Sequence, residues 1–221
     1  MPTSKTRRTP PPALGVKTQP RQQRSVDTYE QILAVTAQML GEVGIERLST
    51  NLVCQRLGLT PPALYHYFPN KYAIVHELGD RLMQVQDSVV AGWVTPQTMK
   101  LPAERFRQAL AQMFTQMFQV TRDQPDGVWV LRALRAVPAL QALRLASHER
   151  VTALIADAFL AAYPQANAAR VRLTTRLAVD MGSAALDLLF DAPGLDPQQL
   201  SRTLAAMISS EMMAMRKGGG H

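Results

Sequence analysis

The chain has 221 residues, 47% hydrophobic and 19% charged, with a formal net charge of +7. That is apolar material for one or two cores at ~100–200 residues per domain. No apolar run reaches the roughly 20 residues that cross a bilayer, so a soluble chain with no membrane partner is expected.

The charge is unevenly placed. Residues 1–24 carry Lys5, Arg7, Arg8, Lys17, Arg21 and Arg24 and no Asp or Glu, so six of the seven net positive units lie there. The same stretch holds Pro2, Pro10, Pro11, Pro12 and Pro20 and few large apolar side chains. It cannot bury enough surface to offset its ordering entropy, so 1–24 is predicted to be a disordered basic arm. Arg7-Arg8 is not followed by the apolar stretch of an export signal, and the prolines spoil the amphipathic helix of a transit peptide. Cys54 is the single cysteine, which excludes an internal disulfide and fits a reducing cytoplasm. Four scattered histidines give no ligand spacing, so no metal and no other cofactor is expected.

From residue 25 onward the apolar pattern is helical and an all-α fold is predicted. Tyr29, Ile32, Leu33, Thr36, Met39, Leu40 and Val43 form one face of a first helix, closed by Gly41 and Gly44. Ser49 or Thr50 caps a short second helix that runs to Leu57, where Gly58 breaks it. Thr60-Pro61-Pro62 opens a third, because proline at the first helical position gives up an N–H that would have no partner anyway. It ends near Tyr67, before Pro69. Asn70 caps a long fourth helix with Ile74, Leu78, Leu82, Val85 and Val89 at spacings of three and four. Further helices are expected over about 102–122, 126–137, within 138–163, over 167–190 and over 197–216.

Two short helices around a glycine turn make a helix-turn-helix, in which the second helix enters the major groove and the first crosses the backbone. The residues are more specific than the spacing. Ser49-Thr50-Asn51-Leu52-Val53-Cys54-Gln55-Arg56-Leu57-Gly58-Leu59-Thr60, followed by Ala63-Leu64-Tyr65-His66-Tyr67-Phe68-Pro69-Asn70-Lys71, resembles the DNA-binding head of the TetR family of bacterial transcriptional regulators. The resemblance covers about residues 25–75. It implies a disordered arm (1–24), a three-helix helix-turn-helix head (25–75) and a larger helical body for effector binding and dimerisation (76–217).

Val53, Leu57, Leu64 and Phe68 are spaced to pack the head's core, and Cys54 serves as a small packing residue. Tyr65 and Tyr67 are expected at an exposed tip, with hydroxyls for phosphate oxygens. His66 lies on another side of that helix. Lys71 is expected to add its charge to a helix N-terminus suited to a phosphate. By resemblance Thr50 contacts phosphate and Asn51 reads a base, since Asn can bond adenine bidentately. The tip of the recognition helix, Thr60 with Pro61, Pro62 and Ala63, departs from the family's polar habit. Its reading of bases is expected to be mainly apolar, as in contact with thymine methyls.

In the body, Val171, Thr174, Ala178, Met181, Ala185 and Leu188 form one seam, and Leu200, Leu204, Ile208, Met212 and Met215 another. The resemblance makes residues 167–216 the interface of a homodimer, which suits a palindromic duplex operator. Phe106, Met113, Phe114, Met117 and Trp129 are an aromatic and methionine-rich set that reads either as core or as the lining of an effector site. Arg132, His148, Arg176 and Asp180 are its candidate polar anchors. A small apolar or aromatic effector that releases a repressor is the expected regulation. One alternative is an organiser of the same fold with no effector. A helical enzyme is the other, and it finds no support in the motifs: neither G-x-x-x-x-G-K, H-E-x-x-H nor G-x-S-x-G occurs, and no catalytic residue is assigned.

Overall fold

A computed structural model describes residues 11–216. They form ten helices in succession, with no strand among the described residues, so the all-α expectation holds. Lys5, Arg7 and Arg8 of the expected arm, and residues beyond 216, lie outside the described residues.

Helix α1 (Gln23–Arg47) buries the expected face of Tyr29, Ile32, Leu33, Thr36, Met39 and Leu40. Its regular course ends at Gly44, whose φ of 72° and ψ of 167° suit only glycine, and the Leu48 N–H returns to the Gly44 carbonyl at 3.1 Å. Helix α2 (Thr50–Leu57) starts from Ser49, whose hydroxyl accepts the Leu52 N–H at 3.2 Å. It stops at Gly58, which takes a left-handed φ of 65° that satisfies the end of the helix. Helix α3 (Pro61–Tyr67) has its two prolines in the first turn, where no donor is lost to the helix. Helix α4 (Lys71–Trp93) is capped by Asn70, whose Oδ1 accepts the Ala73 N–H at 3.0 Å.

Two compact units follow from packing. The first comprises residues up to Gly79 together with Trp129–Ala142; the second comprises Asp80–Val128 and the chain from Leu143 onward. Helix α4 therefore begins in one unit and ends in the other. The first unit also takes in most of α7 (Gly127–Ala136) and residues 138–142 of α8 (Pro138–Ala162). No motif in 129–142 signals this membership.

The core of the head is aromatic. Phe68 is fully buried and stacks on Tyr29 at 4.8 Å, while Tyr67 meets Tyr29 edge-on at 5.8 Å. Val53, Cys54, Leu64 and Ile74 are buried as well. Burial of a side chain such as Phe68 contributes roughly 1.5–3 kcal/mol, which a head this small needs. Burial also raises the Cys54 thiol pKa, consistent with a packing residue rather than a reactive one.

The second unit adds α5 (Pro96–Met99), a single turn capped by Thr95, then α6 (Ala103–Asp123), α9 (Ala168–Asp191) and α10 (Pro197–Arg216). Phe106, Leu110, Met113, Phe114 and Phe118 of α6 pack with Leu204, Ile208, Met212 and Met215 of α10 in one hydrophobic core. Gly182 of α9 permits close approach, since a Cβ there would stand 2.9 Å from the Phe114 ring. Where α4 runs through this unit, Leu82, Met83, Gln86 and Val90 are the buried residues, and the Gln86 amide donates to the Thr121 hydroxyl at 2.7 Å.

Candidate nucleic-acid interface

Helices α2 and α3 present a small polar and apolar surface. Thr50, in the first turn of α2, and Tyr65, near the end of α3, bring their hydroxyls within 2.9 Å of each other. Tyr65 is 39% exposed, enough for its phenol to serve an outside acceptor as well. Asn51, Thr60, Pro61 and Pro62 are exposed and Ala63 is half-buried. Thr60 flanks α3 with an extended backbone and makes no side-chain cap bond, which leaves its hydroxyl for another partner. His66 is exposed beside the Tyr67 ring.

Two of the expected site residues are placed otherwise than expected. Tyr67 is not an exposed tip residue: it is 7% exposed and belongs to the aromatic core with Tyr29. On a helix, a residue two positions from Tyr65 faces away from it, and here that direction meets the Tyr29 ring. Lys71 does not offer a free ammonium to a phosphate. Its Nζ donates to the carbonyls of Ile45 at 2.8 Å, Glu46 at 3.3 Å and Leu48 at 2.9 Å. An ammonium has three donors, and all three serve the end of α1, where the break at Gly44 leaves carbonyls short of helical partners. Arg56 is likewise engaged, with Glu42 of α1 at 2.8 Å, and this bond lowers the Glu42 pKa.

The arm also differs from expectation. Residues 11–22, predicted to be disordered with the rest of 1–24, lie against the end of α3. The Asn70 amide donates to the Ala13 carbonyl at 2.9 Å, the Lys17 N–H to the Tyr67 carbonyl at 2.8 Å, and the Lys17 ammonium to the Tyr65 carbonyl at 3.3 Å. Backbone carbonyls at a helix end are acceptors that composition does not reveal, and they supply the ordering that apolar burial could not. Lys17 is thereby a cation beside Tyr65 that sequence reasoning missed as a site residue.

The effector set is brought together only in part. Phe106, Met113 and Phe114 are buried in the core of the second unit, with Met117 packed against it. Trp129 and Arg132 fall in the first unit, where the guanidinium lies 4.7 Å from the indole centroid. His148, Arg176 and Asp180 do converge. His148 Nδ1 is 2.8 Å from one Asp180 oxygen, Arg176 Nε donates to the other at 2.9 Å, and Arg176 also reaches Glu149 at 3.3 Å. Burial lowers the His148 pKa despite its carboxylate neighbour. This network ties α8 to α9. Among the described residues, no three His, Cys, Asp or Glu side chains gather as metal ligands, and no helix is long and apolar enough to cross a membrane.

Much of the seams expected at a dimer interface turns inward, with Thr174, Ala178, Met181 and Leu200 half-buried. Val171 and Ala185 of α9, and Leu204, Ile208, Met212 and Met215 of α10, are buried within the unit itself. The outward face of α9 carries Leu188, the one exposed residue of the expected seam, at 50% exposure, with Leu173 at 62% and Leu177 at 54%. Met207 of α10 is 59% exposed. Arg170 of α9 bonds Glu211 of α10 at 2.6 Å, which brings Met207, one turn back along α10, toward the level of Leu173.

Comparison with known proteins bears on the head. The sequence profile described as "Bacterial regulatory proteins, tetR family" matches residues 32–78. The class C tetracycline repressor protein of Escherichia coli is 34% identical over 56 residues, 25% of this chain and 26% of that protein. The class A repressor from transposon 1721, also of Escherichia coli, is 35% identical over 52 residues, 24% of each chain. The matched part thus spans about a quarter of these relatives' length. Whole-chain likeness is structural. A tetR-family transcriptional regulator from Streptomyces coelicolor superposes with a TM-score of 0.63 at 17% identity, covering 87% of this chain and 83% of that one. The fatty acid degradation regulator FadR from Bacillus halodurans does so with a TM-score of 0.59 at 14% identity, covering 86% and 96%. At these identities the likeness is one of fold.

Proposed function

We propose that this chain, whose head matches the tetR-family profile over residues 32–78, is a cytoplasmic repressor of the TetR family that binds a palindromic operator as a homodimer and is released by a small effector. The observation that carries the DNA reading is the hydroxyl pair of Thr50 and Tyr65 on adjoining helices, flanked by exposed Asn51, Thr60, Pro61 and Pro62. Two hydroxyls that share one hydrogen bond have a further proton and lone pairs for a phosphate oxygen. The pyrrolidine rings and the Ala63 methyl add apolar surface for thymine methyls, and Asn51 is the base reader. Protection of genomic DNA by the purified chain tests this reading: twofold-symmetric footprints are expected, and protection of asymmetric sites by single chains would refute it.

Replacing Tyr65 by Phe removes one hydroxyl from an exposed position. Fold stability should change by less than about 0.5 kcal/mol. Affinity should fall about tenfold per half-site, the worth of one hydrogen bond to a charged acceptor. A binding titration beside a urea melt separates the two effects.

The arm extends the reading. Lys5, Arg7 and Arg8 precede in sequence the segment moored at Ala13 and Lys17, and such a run of cations supplies sequence-independent attraction to phosphates. A chain beginning at residue 11 should lose affinity equally on operator and random duplex. A chain beginning at residue 23 should lose operator preference as well, because the Tyr65 and Tyr67 carbonyls lose Lys17. Unchanged affinity of both shortened chains on both duplexes would leave the arm without a role.

Regulation is proposed to run through α4, the helix common to both units. An effector that favours a non-binding state by several kcal/mol, on the order of 5 for a near-complete switch, would release the operator. By linkage, operator must weaken effector binding by the same factor. The second reading is an organiser of this fold without an effector, favoured by the burial of Phe106, Met113 and Phe114 in one packed core. Operator affinity that no small molecule alters across a broad screen would decide for it.

A further inference from the structure

Arg216, in the last turn of α10, lies between two rings, 5.0 Å from the centroid of Phe106 and 5.5 Å from that of Tyr163. One terminal nitrogen, Nη1, donates to the Leu101 carbonyl at 2.5 Å. The other edge is different: Nε and Nη2 are both buried and have no hydrogen-bond partner. These two N–H groups form one side of the guanidinium fork, the side that meets a carboxylate with two parallel hydrogen bonds. The Trp93 indole tilts against the same Phe106 ring at 5.5 Å, and its Nε1 is also buried without an acceptor. The Tyr163 hydroxyl, the remaining polar group, is turned to the Met99 carbonyl at 3.2 Å.

Such a cluster is costly as it stands, because a cation with at least three of its five donors buried and unmet loses hydration and gains little in return. Burial pushes the Arg216 pKa down, and among the described residues only Tyr163 acts against this. Every unmet group is a donor, so the missing partner is an acceptor. One positive charge calls for one negative charge, and the planar edge of the fork suits a planar carboxylate.

We propose that the Arg216 edge binds the carboxylate of a small monoanionic ligand whose apolar body lies among Trp93, Phe106 and Tyr163. The proposal rests on the reading of the second unit as effector-sensing, and it names the chemical class of the effector. Entry requires only the last turn of α10 to open, where local unfolding costs least.

Benzoate and octanoate are the probes, followed in the full chain by isothermal titration and by the thermal midpoint, with no DNA present. Both should bind, and Arg216→Met should weaken binding by at least about tenfold, the size of one lost charge-assisted pair. Arg216→Lys keeps the charge but not the fork and should fall between the two. Benzamide and inorganic phosphate should bind at least about tenfold more weakly than benzoate, lacking the charge and the planar single charge respectively. Without ligand, Arg216→Met should be as stable as the parent or more so, since it removes an unmet buried cation. Equal benzoate affinity in parent and Arg216→Met, equal affinity for benzamide, or no binding of either carboxylate up to about 10 mM would overturn the proposal. Operator affinity measured with and without benzoate then reports on the sensor reading alone: bound benzoate with unchanged operator affinity would remove benzoate as an inducer while the carboxylate site stands.

Discussion

A chain carrying Leu173→Glu and Leu177→Glu is expected to sediment as a monomer and to bind operator at least about 100-fold more weakly than the parent. The two leucines are 62% and 54% exposed on the outer face of α9, so within one chain they pack against little. Carboxylates there should cost the isolated fold less than about 0.5 kcal/mol. In a two-helix face shared with a second copy, each leucine would contribute roughly 1.5–3 kcal/mol of burial per subunit. Replacing both by like charges that face their own copies turns that gain into repulsion. Loss of the dimer removes the second half-site as an intramolecular partner, and avidity of this kind is worth about 10²–10⁴ in affinity. Val171→Glu makes the contrast, because that side chain is fully buried in the unit's own core and its change should unfold the body. A dimer that survives the double substitution at micromolar concentration would move the interface away from this face of α9.

The helices were legible because their punctuation is chemical. Gly44, Ser49, Gly58, Thr60-Pro61-Pro62, Asn70 and Asn167 each mark a boundary by a backbone requirement or a cap, and α1, α2, α3, α4 and α9 begin or break where these residues stand. Inward and outward faces were harder to tell apart. Along α9 both Val171-Ala178-Ala185 and Leu173-Leu177-Leu188 have helical spacing, and periodicity alone does not say which of two apolar stripes meets α6. Size was the available signal: the small residues around Gly182 mark close approach to Phe114, which leaves the large leucines outside. Least legible were groups that act through backbone carbonyls, as Lys17, Asn70 and Lys71 do toward distant segments, because every residue carries the same acceptor.

Lys71→Met should destabilise the head by about 2 kcal/mol and leave the salt dependence of operator binding nearly unchanged. The resemblance alone assigns this lysine to the phosphates, and the two roles predict opposite results. As a phosphate contact, its loss would lower the slope of log affinity against log salt by about 0.9 per subunit while stability stayed level. As placed here, the ammonium joins the start of α4 to the carbonyls of Ile45, Glu46 and Leu48, so it fixes the turn from which α2 departs. Methionine keeps the length and apolar stem but leaves those carbonyls to water, at about 1.5–3 kcal/mol for hydrogen bonds to a charged group. Because Thr50 follows that turn directly, a looser turn also loosens its 2.9 Å contact with Tyr65. Operator affinity should therefore fall by a similar factor at every salt concentration, tracking the loss of an ordered interface rather than of a charge. Urea unfolding paired with titrations at several salt concentrations reads both quantities on one preparation. A slope lowered by nearly one per subunit, with the urea midpoint unmoved, would return Lys71 to the phosphates and require its ammonium to leave the carbonyls when DNA binds.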